Sequence, residues 1–189
     1  MAPALIQIQP VEKKLSNTII RVIKDDLTAL PVDAFVFYAR RDLEIGSGYG
    51  TAIQQRGGAS VKKELEEIGS VEMGEAVITG AGQLNARHII HACGPKFHEP
   101  DLEGKLRRCL RSALRLADEK GLASLALPPL GYGFYGVPAD LCARAMVEEI
   151  TGFVARGQTS LREIIICVAD AHEFGPFKDR VAALNQGGM

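Results

Sequence analysis

Residues 124–138 read Ser124-Leu-Ala-Leu-Pro-Pro-Leu-Gly-Tyr-Gly-Phe-Tyr-Gly-Val-Pro138. Ser124 to Leu127 is a short apolar run that suits a strand, and three glycines punctuate the turn that follows. Pro138 then opens a helical pattern in which Cys142, Met146, Ile150 and Phe153 fall along one stripe. Glycines let backbone amides approach an anion closely, and the helix N-terminus behind them adds partial positive charge. A phosphate is the natural guest of such a loop. Gly131, Gly133 and Gly136 formally satisfy the dinucleotide fingerprint Gly-x-Gly-x-x-Gly. That reading fails because the pattern lies late in the chain. About 20 residues onward, where a ribose-binding acid should end a strand, the sequence is still helical around Ile150. Tyr132, Phe134 and Tyr135 also crowd one loop in a chain with only 7 Phe, 4 Tyr and no Trp. Core packing accounts for one or two of them, and a wall against a sugar or base for the others.

Upstream, Glu44-Ile-Gly-Ser-Gly-Tyr-Gly-Thr-Ala-Ile53 repeats the logic, running from a strand region into a helix. Its glycines admit either a second phosphate contact or a plain flexible turn. Around these loops, Leu5 to Gln9 alternates strictly, and Thr18 to Ile23 and Val32 to Phe37 are rich in β-branched and aromatic residues. All three read as strands. Gly57 and Gly58 split a helical stretch from Thr51 to Ile68. Glu75 to Thr79 and His88 to Ala92 read as two strands joined by a turn. Leu102 to Lys120 is a helix carrying Leu106, Leu110, Ala113, Leu114 and Ala117 inward. Leu161 to Val168 is a last strand, and Glu173 to Leu184 a terminal helix, with Gly187, Gly188 and Met189 expected to fray. Apolar strands alternating with helices predict an α/β/α arrangement with a mixed, mostly parallel sheet, and ligands bind such sheets beyond the carboxyl ends of the strands.

With 189 residues, the chain fits one domain at about 100 to 200 residues each, spanning residues 1–189. A hydrophobic fraction of 47% and a charged fraction of 24% describe ordinary globular usage. With 22 basic against 23 acidic residues there is no field to hold duplex nucleic acid. The N-terminus lacks a signal-peptide pattern, and no run approaches the ~18 apolar residues of a membrane span, so a cytoplasmic protein is expected. Cys93, Cys109, Cys142 and Cys167 form no Cys-x-x-Cys pair, and the four histidines show no metal spacing. Neither a metal nor a cofactor is expected. His91 reads as a core histidine, the cysteines as inert thiols. The basic run Lys105, Arg107, Arg108, Arg111 and Arg115 reads as a solvated helix face that could meet an acidic partner.

Five ordered segments carry a resemblance. These are Asp26-Leu-Thr28, Val32-Asp-Ala34, Gly74-Glu-Ala-Val-Ile-Thr79, His88-Ile-Ile-His-Ala-Cys-Gly-Pro95 and Ser124 through Pro138. Together they resemble the macrodomain family of ADP-ribose-binding α/β modules over about residues 18–184, with an extra N-terminal strand. The resemblance implies a three-layer α/β/α fold. It makes Asp26 the acceptor for the adenine amino group, with Leu27 beside it; the plainer reading of Asp26 is a turn cap. It makes Gly46, Ser47, Gly48, Tyr49 and Gly50 the loop around the distal ribose and a phosphate. Gly131, Tyr132, Gly133, Phe134 and Tyr135 become the loop that wraps the diphosphate, with Tyr135 packing against the distal ribose.

The sequence also departs from the family. Hydrolytic members carry an Asn-Ala-Ala-Asn-like run where this chain has Phe37-Tyr-Ala-Arg40, so Arg40 stands for the asparagine that orients the distal ribose. Gly50 stands where many hydrolases carry an acid, so water activation comes from the substrate phosphate or does not happen at all. Ala169 replaces an aromatic that often stacks on adenine. Arg40 either pairs with a phosphate or pairs with Asp42 on the surface, and Tyr49 either stacks on a ribose or blocks the cleft. The expectation is therefore a module that binds ADP-ribose, free or on an ADP-ribosylated protein, with no catalytic residue assigned. Hydrolysis of an ADP-ribose ester such as O-acetyl-ADP-ribose, or of mono-ADP-ribosylated protein, is the enzymatic alternative. A degenerate macrodomain serving as a protein-interaction surface is the third.

Overall fold

The computed structural model describes residues 8–46 and 48–184. Its elements in chain order are β1 (Val11–Leu15), β2 (Thr18–Lys24), β3 (Ala34–Ala39), α1 (Tyr49–Gly57), α2 (Ala59–Ile68), β4 (Ala76–Gly80), β5 (His88–Cys93), α3 (Leu102–Glu119), β6 (Ser124–Leu127), α4 (Ala139–Ala155), β7 (Glu163–Val168) and α5 (Ala171–Ala182). The seven strands form one sheet in the order β1-β2-β7-β6-β3-β5-β4. Only the edge pairs β1·β2 and β4·β5 are antiparallel; β2, β7, β6, β3 and β5 run parallel. The mixed, mostly parallel sheet expected from the sequence is what the chain forms.

Alternation along the strands builds one core on each face. Ala34 and Val36 point with Leu106, Leu110 and Leu114 of α3, Met146 and Ile150 of α4 and Phe177 of α5 into the larger one. Phe35 points the other way, with Leu27, Ile53 of α1 and Val61 and Leu65 of α2. A side chain that changes face with every residue along a strand forces this two-sided burial, and three layers follow.

Several boundaries differ from the sequence reading. Of the expected first strand, residues 5–7 lie outside the described residues, and Ile8 and Gln9 are not in a strand. Among the described residues the first strand begins after Pro10, which has no N–H to donate to a ladder. β3 starts at Ala34 rather than Val32, because Asp33 is held at the strand entrance. Its carboxylate accepts from Ala123 N (2.8 Å) and Ser124 N (3.1 Å), and its own N–H donates to Ser124 Oγ (2.8 Å). β7 begins at Glu163, not Leu161, and α5 begins at Ala171, two residues before the expected Glu173. The frayed tail expected at 187–189 lies outside the described residues. No helix among those described is long and apolar enough to cross a membrane.

The expected basic helix face is largely neutralised. Arg107 bridges Glu103 (2.7 Å) and Glu148, Arg144 joins Glu103 (2.8 Å), and Arg111 holds the nearly buried Glu149 (2.7 Å). Lys105 pairs with Glu99 (3.1 Å) and Arg115 with Glu119 (3.5 Å). Arg108 lays its methylenes over Gly74, where an added Cβ would lie 2.7 Å away. Two of the run, Arg107 and Arg111, fasten α3 to α4, each exposed pair contributing up to about 1 kcal/mol.

Candidate functional site

The cleft begins with two prolines. β3 and β6 pair at only two positions, Ala34 with Leu125 and Phe35 with Ala126. Beyond them β6 runs into Pro128 and Pro129, which cannot donate to a ladder. Where that ladder stops, at the carboxyl ends of the parallel strands, lies a cavity of about 570 Å³. Phe37, Tyr38 and Arg40 line it from β3 and its end, Glu44, Gly46, Gly48 and Tyr49 from the first glycine loop, and Tyr132, Phe134 and Tyr135 from the second. A smaller cavity of about 350 Å³ lies beside it, lined by Lys24, Asp25, Asp26 and Ala169, and Tyr49 is a wall of both. Tyr49 thus stands as a wall shared by the two cavities.

The second loop is a short 3-10 turn, Gly133–Tyr135, braced from outside. Val137 N donates to Gly131 O (3.0 Å), Gly136 N to Gly133 O (2.9 Å), and Phe97 N to Tyr135 O (2.9 Å). The ring of Tyr135 meets Tyr38 edge-on at 4.9 Å, and the buried Tyr38 hydroxyl donates to Pro95 O. Burial pushes the Tyr38 phenol far above its ordinary value, so it remains a donor. Gly131 has φ +75°, and a Cβ there would lie 2.7 Å from Val137 Cγ2. Among the described residues, the amides of Gly133, Phe134 and Tyr135 have no acceptor. Phe134 is 87% exposed at the rim.

The first loop is looser. Gly46 and Gly48 line the larger cavity with nothing within 4 Å of an added Cβ. Ser47 lies outside the described residues. Tyr49 and Gly50 form the first turn of α1, where helix geometry leaves amides without intrahelical acceptors. Gly50 differs from its neighbours, being buried, with an added Cβ 3.2 Å from the Ile45 backbone and 3.3 Å from the Phe37 ring. Its place is under the loop, off the cavity wall, where an added side chain requires the Ile45 backbone or the Phe37 ring to shift by a few tenths of an ångström.

Asp26 serves as the cap of the 3-10 turn Leu27–Ala29. Its Oδ1 accepts from Thr28 N (3.0 Å) and Thr28 Oγ1 (2.7 Å), and Oδ2 accepts from Arg56 of α1 (2.9 Å). Partial burial raises its pKa, but the bonds from Thr28 and Arg56 outweigh it and hold the carboxyl below its ordinary value. Leu27 is fully buried in the core and presents no side chain to the cavity. Arg40 is held by Asp42 through two bonds, Nε to Oδ1 at 3.0 Å and a terminal nitrogen to Oδ2 at 2.6 Å, while still lining the cavity. Both alternatives posed for Arg40 are thus geometrically open at once.

Glu44, Pro128, Pro129 and Arg56 went unremarked in the sequence reading. The proline pair after a strand was a usable signal for a parted ladder; nothing local marks Arg56, whose partners lie 28 and 30 positions away. A further cavity of about 550 Å³ lies behind the first loop, among Asp42, Glu44, Glu66 and Lys62. Three carboxylates against one ammonium make it a poor host for an anion. His91 is a core residue, its Nε2 2.9 Å from Thr79 Oγ1, and the four cysteines are buried.

Residues 39–146 match the family described as Macro domain. A macro domain-containing protein of Listeria monocytogenes is 40% identical over 77% of this chain and 86% of its own length. One from Streptomyces griseus is 34% identical over 88% and 96%. Among solved structures, the Oceanobacillus iheyensis macrodomain with ADP superposes with a TM-score of 0.86 at 23% identity, covering 92% of this chain and 95% of that one. The Trypanosoma brucei macrodomain in complex with ADP-ribose gives 0.81 at 27% identity, covering 86% and 68%. The cleft between two glycine loops, the sheet order that positions it and these similarities agree: the chain belongs to the macro domain family.

Proposed function

We propose that the chain binds ADP-ribose, free or attached to protein, with the base at the smaller cavity and the diphosphate and distal ribose in the larger one. The observation that carries this is the row of unpartnered amides at Gly133, Phe134 and Tyr135, across the cleft from the N-terminus of α1. Phe134 and Tyr135 on one side and Tyr49 on the other bring backbone with free amides to the wall of one cavity, whose one cationic side chain among the described residues is Arg40. Such a site suits a diphosphate held by dipoles. Asp26 accepts from the adenine amino group, and Tyr135 backs the distal ribose. The family relative from Trypanosoma brucei that was solved with ADP-ribose supports the same ligand. Titration calorimetry with ADP-ribose, ADP and AMP tests it. Micromolar binding of ADP-ribose that disappears in Asp26→Ala and in Gly133→Glu is expected. Gly133 has open space around an added Cβ, so the new carboxylate acts by repelling phosphate rather than by collision. Absence of binding to all three nucleotides would instead return the degenerate, protein-interaction reading.

A second reading, hydrolysis of an ADP-ribose ester, rests on Glu44, a carboxylate on the wall of the larger cavity. A carboxylate on that wall could activate water, which Gly50 has no group to do. Release of ADP-ribose from O-acetyl-ADP-ribose or a modified protein by the wild-type chain, abolished in Glu44→Gln, would establish it. No release above background leaves the chain a binder.

A further inference from the structure

The acid at the smaller cavity is built into a closed ring of hydrogen bonds. Thr28 donates from both its amide and its hydroxyl to Asp26 Oδ1, and Arg56 donates to Asp26 Oδ2 (2.9 Å) and to Thr28 Oγ1. An ionised carboxylate has about four acceptor positions. Three are taken, and one remains on Oδ2.

We infer that Arg56 sets the base selectivity of the site by fixing Asp26 so that a single acceptor position is left for the base edge. The inference rests on the reading of Asp26 as the base acceptor. A 6-aminopurine brings an N–H to that position. A 6-oxopurine brings a carbonyl lone pair, which meets a carboxylate that cannot turn away, because Arg56 and Thr28 hold both oxygens. The carboxyl is also kept ionised by the same bonds, so it does not become a donor to the carbonyl by taking up a proton near neutral pH. Without Arg56, Thr28 still holds Oδ1 but Oδ2 gains a second open position, where a water can sit and donate to a purine carbonyl, so both purines are tolerated. Arg56 lies in the last turn of α1, the helix whose first turn carries Tyr49, and Tyr49 walls both cavities. One helix therefore supports the base acid at one end and the ribose-phosphate loop at the other. Arg56 acts through Asp26 and is a positioning residue. Lysine in its place supplies the charge without the fork that spans Asp26 and Thr28.

The test is calorimetry of ADP-ribose and its hypoxanthine counterpart, inosine diphosphate ribose, on the wild-type chain and on Arg56→Met, Arg56→Lys and Asp26→Ala. The wild type is expected to prefer the adenine ligand by about tenfold or more, the scale of one hydrogen bond to a charged group. In Arg56→Met the preference falls toward one, chiefly through weaker ADP-ribose binding, and Arg56→Lys restores part of it. A wild-type preference carried unchanged into Arg56→Met overturns the inference, even if both ligands weaken together, since parallel loss marks a merely structural role. Asp26→Ala that keeps the wild-type preference overturns the reading of the base acid, and this inference with it.

Discussion

The two glycine loops face each other across one cleft and are held in opposite ways. The loop at Gly131–Gly136 is braced from the side by Tyr38, Phe97 and Val137, so its free amides stand on a fixed frame. The loop at Gly46–Gly50 is anchored from below, where Gly50 packs on Ile45 and Phe37 and Gln54 donates to Ile45 O, while Gly46 and Gly48 stand in open space. The same residue type thus answers two different demands. Gly131 combines a positive φ with a contact too close for a Cβ, and Gly50 sits tight against neighbours; Gly48 has open space and only its backbone, at φ +56°, disfavours a side chain.

Substitution separates the two demands. Gly131→Val adds a branched side chain at positive φ where Val137 and the Tyr38 hydroxyl already stand, and should cost about 3 kcal/mol in strain and overpacking together. Denaturant unfolding would measure that loss, accompanied by loss of ADP-ribose binding. Stability within 1 kcal/mol (about the median single-site effect) would show that the bracing is not rigid.

Acid probes the underside of the first loop. His91 stands edge-on to Phe37 at 5.9 Å, and burial lowers its pKa to about 4 from 6.5. Its charged form therefore favours the unfolded chain. This contribution is complete above pH 6.5, declines as the pH falls below that value and levels off below about 4. At about 1.4 kcal/mol per pH unit the loss across that window is about 3 kcal/mol. Unfolding free energies of wild type and His91→Gln, compared between those two pH values, isolate it, because the carboxylates titrate alike in both. Equal slopes would mean that His91 is free to charge in place.

The mildest change completes the comparison. Gly48→Ala meets no neighbour and should cost about 1 kcal/mol, the backbone strain alone. A loss as large as that of Gly131→Val would make the first loop as tightly determined as the second.

How much of this was legible in the sequence varies residue by residue. The strand, loop and helix from Ser124 to Ala155 were readable because glycine, proline and helical periodicity are local signals. So was the sheet class, from apolar runs that alternate with helices. β1 was missed because an edge strand tolerates charge, and Glu12, Lys13 and Lys14 dilute its alternation. The loop glycines were readable as a group, but the difference between Gly50 and Gly48 depends on Phe37 and Ile45, which only folding brings against one of them. The basic run on α3 was readable as a solvated face with nearby partners in Glu103 and Glu119, but its bridges to Glu148 and Glu149, about forty positions away, were not. Asp26 was identified as both a turn cap and a candidate base acceptor; that it caps the turn is a matter of bonds to Thr28, whereas its tie to Arg56 has no local trace.

The proline pair that ends the ladder between β3 and β6 bears on binding entropy. Pro128 and Pro129 offer no N–H to rejoin the ladder whether or not anything lies in the cleft, so this side of the cleft is preorganised. The unfavourable ordering of its walls belongs to folding, and a ligand entering it need not overcome that term again.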